Sequence, residues 1–310
     1  MRPLVSIITA TYNSRRFLAD YLDSLKSQTH DNWEAILVDD GSTDETVHLA
    51  EKAALGDPRV RIIRKAPEGN PAIARMIGVA HAKGEWIAFL DHDDIWHPQK
   101  LALQLKAMVS MPEALLCHTG RFVFNTKVPN SAPFEEIRAA KAICQPVSDL
   151  LEGNFITFSS SLIRRDLLVS LGGLDQSKEL RGVDDYDLWL RLAPSGTLAF
   201  LPEPLTGWRN HGVNLGHDRL RMAEGLKAIA TRLETRGAPS VYVKALRFQA
   251  LKSFGVTLIK DEPLAALKVL SQAATISKRP KLLAITAFAL LAAALPSALR
   301  VRILNFVHRR

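Results

Sequence analysis

Cysteine is scarce in this 310-residue chain. Cys117 and Cys144 are its two thiols, and they form no C-x-x-C pair and no zinc-ligand spacing. That argues against a disulfide-stapled secreted module and a structural zinc centre, and it suits a reducing compartment. There is no internal repeat and no low-complexity tract, which excludes a solenoid or a disordered linker protein. Long apolar runs are nearly absent as well. The N-terminal run, residues 4–10, is short and passes at once into Thr11, Tyr12 and Asn13, so no secretory signal is expected there. What is present is a chain 47% hydrophobic and 23% charged. It can bury a full core and exceeds the usual size of one domain, so a catalytic-sized domain with an appendage is expected.

Charge is unevenly spread. Residues 240–310 hold 12 Lys or Arg against two acids, Asp261 and Glu262, whereas the whole chain has a net charge of +8. The tail therefore accounts for all of the excess and marks a surface for anionic partners. Aromatics are not interleaved with the basic residues and the region is rich in Leu and Ala, so anionic lipid headgroups fit better than nucleic acid. Residues 282–299 are uncharged, flanked by Lys281, Arg300 and Arg302, with seven alanines and Pro296 among them. Two readings are open: a shallow or re-entrant helix at a membrane face, or a buried helix in a small bundle with helices near 219–236, 241–259 and 263–276.

The first hundred residues alternate. Strands are predicted near 4–10, 33–39, 60–64 and 85–90, and helices near 15–28, 43–55, 71–83 and 97–109. That rhythm predicts an α/β fold with a doubly wound, mostly parallel sheet flanked by helices. Ligands of such sheets bind at the carboxyl ends of the strands. There the chain places Asp91, Asp93 and Asp94 directly after the apolar run 86–90, and Asp39 and Asp40 directly after the run 34–38. Crowded acids repel unless a cation offsets them, so a hard divalent metal bridging to phosphates is the economical reading of the first group. Asp39 and Asp40 could accept hydrogen bonds from a base or ribose. In the same turn Ser42 or Thr43 is expected to cap a helix with Asp44 and Glu45 in its first turn, and the turn 11–14 to cap the preceding helix.

Four segments, VSIITATYN, VDDGSTDET, NPAIARMIGVAHAKGEWIAFLDHDD and RGVDDYDLWLRLA, occur in an order that resembles glycosyltransferase family 2, over about residues 4–212. The resemblance implies a GT-A fold and inverting transfer of a sugar from a nucleotide diphosphate, with Mg²⁺ or Mn²⁺. By that likeness Ala10, Tyr12, Asn13, Asp39 and Asp40 belong to the donor pocket, with Tyr12 stacking on uracil and Asp40 bonding its edge. Arg75 and Asp91 belong near the diphosphate, Asp93, Asp94 and His211 at the metal, and Asp184 or Asp185 is the catalytic base. An Asp stands at 184 where the family usually has Glu, which leaves the choice within the pair open, with Asp185 preferred. The expected architecture is a catalytic domain over 1–215, divided into a donor half (1–110) and an acceptor half (111–215), then a basic helical region over 216–310. The segment 156–161 resembles a strand below the acceptor site, residues 129–136 read as a mobile loop, and residues 172–175 as a turn ahead of the base. The implied partners are a UDP-sugar, a glycan or lipid-linked acceptor and an anionic membrane surface at the inner face of the cell membrane.

A rival enzyme class, a metal-dependent phosphoesterase or nucleotidyltransferase, would use His92, Asp93, Asp94 and His97 as ligands and would need neither Asp184 and Asp185 nor the pocket at Tyr12 and Asp40. A membrane-bound assembly factor without catalysis would need no nucleotide at all.

Overall fold

The computed structural model describes residues 2–125, 127–129, 135–137, 140–192, 196–212, 218–259 and 262–276. The chain divides into two compact units, residues 1–150 with 154–212, and residues 151–153 with 213–310.

Among the described residues, the first unit is built on a nine-stranded sheet. Four strands, β1 (Val5–Thr11), β2 (Trp33–Asp39), β3 (Val60–Arg64) and β4 (Trp86–Phe89), lie in the order β3-β2-β1-β4 and are mutually parallel. All of β4 and nearly all of β1 and β2 are buried, as the helix-covered centre of a parallel sheet requires. Helices α1 (Leu18–Lys26), α2 (Thr46–Gly56) and α3 (Pro71–His81) make the crossovers. Helix α3 begins where expected because Asn70 accepts from the Ala72 N–H and Pro71 occupies the first turn. It presses on β1 through Gly78, where a Cβ would stand 2.8 Å from Ile8 Cγ2.

Beyond β4 the sheet turns mixed. Strand β8 (Leu162–Arg164) pairs antiparallel with β4, β6 (Ala114–Phe124) antiparallel with β8, and β9 (Thr197–Arg209) parallel with β6. Strands β5 (Ile95–Trp96) and β7 (Ile143–Pro146) both pair antiparallel with β9. Helices α4 (Lys100–Ser110), α5 (Arg165–Ser170) and α6 (Asp184–Arg191) also belong to the unit. One consequence decides the site: Arg75 of α3 bonds both the segment just after β4 and the start of α6.

Three local expectations are corrected. Helix α2 starts at Thr46 rather than 43, because Asp44 Oδ1 accepts from the Thr46 N–H at 2.9 Å, while the Ser42 hydroxyl is taken by Asp39 and by the Asn13 N–H. Helix α1 starts at Leu18, since the Ser14 hydroxyl accepts from the Tyr12 N–H instead of capping. Residues 156–161 are not a strand. They form an extended approach and a 3₁₀ turn at Phe158–Ser160, closed by the Ser160 and Ser161 hydroxyls bonding back to the carbonyls of Thr157 and Phe158. Residues 172–175 are the expected turn.

The second unit contains α7 (Arg219–Thr235), capped by Asp218, followed by α8 (Ser240–Leu258) and α9 (Pro263–Ile276). Phe248, Ile259, Ala266, Leu270 and Ala273 form its buried seam. No helix among the described residues is long and apolar enough to cross a membrane. The segment 282–299, and most of the expected loop 129–136, lie outside the described residues.

Candidate active site

The three acids after β4 converge. Asp91, Asp93 and Asp94 each present a carboxylate oxygen, and these oxygens lie within 4.8 Å of one another. Their surroundings separate them. Asp94 is 2% exposed and spoken for on both oxygens, by the Arg209 N–H at 2.9 Å and the Ser159 hydroxyl at 2.5 Å. Burial and the neighbouring Asp93 and Asp91 carboxylates push its pKa well up. Burial also pushes Asp93 upward, but His211, whose Nε2 lies 2.8 Å from Asp93 Oδ2, and the nearby His92 outweigh it and leave Asp93 below the ordinary carboxylate value. His211 in turn stacks on Phe17, with ring centroids 5.1 Å apart. Arg209 holds the loop from beneath. Its buried guanidinium lies over Phe17 and Phe124 and donates to the Asp93 carbonyl and to Asp20.

Asp91 also meets a cation. Arg75 Nη2 donates to Asp91 Oδ1 at 2.6 Å, and Nη1 of the same guanidinium donates to Asp184 Oδ2 at 3.2 Å, over the Phe158 ring at 4.3 Å. A single buried arginine thus joins the acid cluster after β4 to the acid pair opening α6. Asp184 is 5% exposed; burial raises its pKa, with Arg75 pulling against that rise. Asp185 keeps partial exposure. Burial and the Asp184 charge push it up to about 7, opposed by hydrogen bonds from Asn154 Nδ2 and the Tyr186 N–H.

At the ends of β1 and β2, Tyr12 is 54% exposed and offers a free ring face, while Asn13 ties the two turns by accepting from the Thr43 N–H and donating to Ser42. The Ala10 carbonyl meets His92 Nδ1 at 3.2 Å. Asp39 is turned inward. Its oxygens accept from Thr11, the Ser42 hydroxyl and the Ser42 N–H, so it shapes the turn. Burial pushes Asp40 up, but Lys65 and the N–H groups of Glu68 and Gly69 outweigh it and hold it below its ordinary value.

Asn154 and Lys65 escaped sequence reasoning, as did the individual roles of Ser159 and Phe158 within the segment 156–161. Ser159, Asn154 and Lys65 act by hydrogen bonds from irregular or strand-end segments, which leave no periodic signal. His92 and His97 do not assemble with the acid cluster as the phosphoesterase reading required. His97 is 1% exposed, with its ring nitrogens against the Glu135 carbonyl and the Gln99 N–H.

The sequence model described as glycosyl transferase family 2 matches residues 6–171. A putative teichuronic acid biosynthesis glycosyltransferase of Bacillus subtilis is 31% identical over 200 residues, covering 64% of this chain and 75% of its own length. The O-antigen biosynthesis protein of Myxococcus xanthus is 33% identical over 209 residues, 66% of this chain and 16% of that one. Among solved structures, residues 1–349 of Staphylococcus aureus TarS in complex with UDP-GlcNAc give a TM-score of 0.66 at 15% identity, covering 98% of this chain and 91% of theirs. The Pyrobaculum calidifontis mannosyltransferase in complex with GDP-Man and Mn²⁺ gives 0.62 at 20% identity, covering 97% and 85%. These structural likenesses establish the GT-A type of fold.

Proposed function

We propose that this chain, which belongs to glycosyl transferase family 2, transfers one sugar with inversion from a UDP-sugar to an acceptor hydroxyl of a surface polysaccharide or lipid-linked glycan. The observation that carries the reading is Arg75, bonded at once to Asp91 and Asp184. On this reading Asp91 belongs to the leaving-group side and Asp184 adjoins the base, so one guanidinium links the two sides of the displacement. In the reaction the acceptor oxygen forms its bond to the anomeric carbon as the bond from that carbon to the diphosphate breaks. The electron pair leaves on the diphosphate, and the hydroxyl proton passes to Asp185. A base on the attacking face gives inversion without a covalent enzyme intermediate. Asp185 suits that role better than Asp184, because Asp184 is committed to Arg75 whereas Asp185 is partly exposed and its pKa sits near 7.

The all-oxygen set of Asp91, Asp93 and Asp94 fits a hard divalent ion such as Mn²⁺ or Mg²⁺. When bound, such an ion would neutralise charge on the departing diphosphate. Asp91 and Asp93 are the more available ligands, since Asp94 is held on both oxygens. Tyr12 stacks on the base, and Arg75 stands ready to meet the diphosphate. The surface-glycan acceptor is supported by the names of the relatives, and location at an anionic membrane face by the basic residues 240–310.

A thermal-shift panel of nucleotide sugars with Mn²⁺ tests the donor. Asp185→Asn should keep the donor-induced shift yet lose transfer by a factor of about 10² to 10⁴, the usual worth of a positioned base. No shift with any UDP-sugar refutes the donor class, and normal turnover by Asp185→Asn moves the base to Asp184. Flotation with anionic vesicles tests the membrane face, and full-length protein left at the bottom of the gradient removes it.

A further inference from the structure

Asp184 and Asp185 are adjacent, identical in type and both raised by burial, yet they meet different partners. Asp184 takes the cation, Arg75, at 3.2 Å. Asp185 takes a neutral amide, with Asn154 Nδ2 donating to Oδ2 at 3.0 Å. The amide cannot be turned the other way, because Asn154 Oδ1 accepts from the Ile156 N–H at 3.2 Å and so leaves the NH₂ end for the carboxylate. The segment is anchored around this bond. The Tyr186 hydroxyl donates to the Leu150 carbonyl, Ile156 is 2% exposed, and the Tyr186 N–H donates to Asp185 Oδ1 at 2.7 Å. Each oxygen of Asp185 therefore carries one protein donor and keeps room for one proton.

We propose that Asn154 is a positioning residue for the transfer step, aiming the Asp185 carboxylate and holding it ionised so that it receives the acceptor's proton. The proposal deepens the reading of Asp185 as the base and rests on it. The physical reason is selective bonding. Asn154 donates to the carboxylate, and a protonated acid would return less to that donor, so the bond favours the ionised form. An arginine in its place would favour ionisation more strongly but would leave too weak a base, which is the direction in which Arg75 pulls Asp184. A neutral donor allows a base that works near neutrality. The charged groups facing Asp185 are Asp184 from its own helix and Arg75 from α3, with Asp91 acting through Arg75.

The measurement is a carbon-13 titration of the Asp185 carboxyl in the full chain labelled at aspartate Cγ, assigned by the signal lost in Asp185→Asn. Its companion is the pH profile of donor cleavage by water, using the nucleotide sugar with the largest thermal shift. Asn154 is exposed, so Asn154→Ala and Asn154→Asp should fold, and circular dichroism checks this. The wild-type midpoint should lie near 7. Losing a hydrogen bond to a charged group should raise it by about one pH unit in Asn154→Ala. It should rise further in Asn154→Asp, where a second carboxylate replaces the donor. The acid limb of the cleavage profile should move by the same amount, costing turnover about tenfold at pH 6. A midpoint unchanged in both variants overturns the proposal and leaves Asp185 as base untouched. A midpoint that moves while the acid limb stays fixed shows that another group takes the proton, and overturns the assignment of the base together with the role of Asn154.

Discussion

Arg75→Met should destabilise the first unit in a pH-dependent way, and the structure gives both size and sign. The Arg75 side chain is 11% exposed and that of Asp184 is 7% exposed, so the variant leaves a buried carboxylate without its cation. Breaking a buried pair from one side costs about 3–5 kcal/mol. For a unit of this size that is a fall in Tm of roughly 6–20 °C at pH 8. Met keeps an apolar stem against Phe158, so lost packing is a minor part. Asp91, whose side chain is 33% exposed, remains solvated and adds little. The sign follows from Asp184, whose folded pKa is already raised and would rise further without Arg75. A carboxyl protonated more readily in the folded state than in the unfolded chain stabilises at low pH, and that stabilisation is lost as pH rises through the folded pKa. The gap between variant and wild type should therefore narrow towards pH 5. Differential scanning fluorimetry in EDTA from pH 5 to 8 reads this directly. Arg75→Met with Asp184→Asn should recover most of the loss at pH 8. A Tm deficit that is the same at pH 5 and pH 8, or a double variant no more stable than the single one, would refute the reasoning.

Asp93→Ala should weaken Mn²⁺-dependent binding of UDP at least about tenfold, since second-shell losses alone reach that size and this removes a ligand. Isothermal titration decides, and wild-type affinity in the variant would remove Asp93 from the metal site. Lys100 is wholly buried, with Nζ 2.7 Å from Gln104 Oε1 and 3.9 Å above the Trp96 ring, and burial lowers its pKa to about 7. Between pH 7 and about 10 the unfolded chain holds a proton that the folded lysine does not, so wild-type stability climbs with pH across that window. Lys100→Met lacks this slope, and its Tm relative to wild type should be more favourable at pH 6 than at pH 9; an unvarying difference would show that the amine is not held near neutrality.

The strands and helices of the first hundred residues were legible because a parallel sheet buries both faces of its strands, so each reads as an unbroken apolar run ended by polar residues. Strand β4 and the acids after it are the clearest case. The start of α2 was not legible, because Ser42, Thr43 and Asp44 can each accept a backbone N–H. Ser42 is instead paired with Asp39 and Asn13, Asp44 bonds the Thr46 N–H from outside the helix, and the N-cap residue Glu45 makes no side-chain cap. Residues 156–161 misled for a related reason: serine and threonine hydroxyls can close on their own backbone, and Ser160 and Ser161 do so here, turning a strand-like composition into a turn. That turn is what brings the Ser159 hydroxyl to Asp94 and the Phe158 ring under Arg75.

Electrostatic assignment is a different matter from periodicity. Arg75 and Asp184 are 109 residues apart, and Arg209 and Asp94 are 115 apart. No local pattern announces either pair, and a buried arginine such as Arg209 looks in sequence like any surface charge. The choice between Asp184 and Asp185 shows the limit most sharply. Neighbours of one residue type carry no internal signal that separates nucleophile activation from charge balance, since helical geometry alone splays them about the axis. What separates them is that one side of α6 faces a guanidinium from α3 and the adjacent direction faces an amide from the segment before Ile156. A carboxylate bound to a buried cation is a poor proton acceptor, whereas one raised by burial and steadied by a neutral donor is a good one near neutral pH. The division of labour that we propose for the pair is therefore a property of the partners the fold delivers, and exchanging Asn154 or Arg75 should alter it even with both aspartates in place.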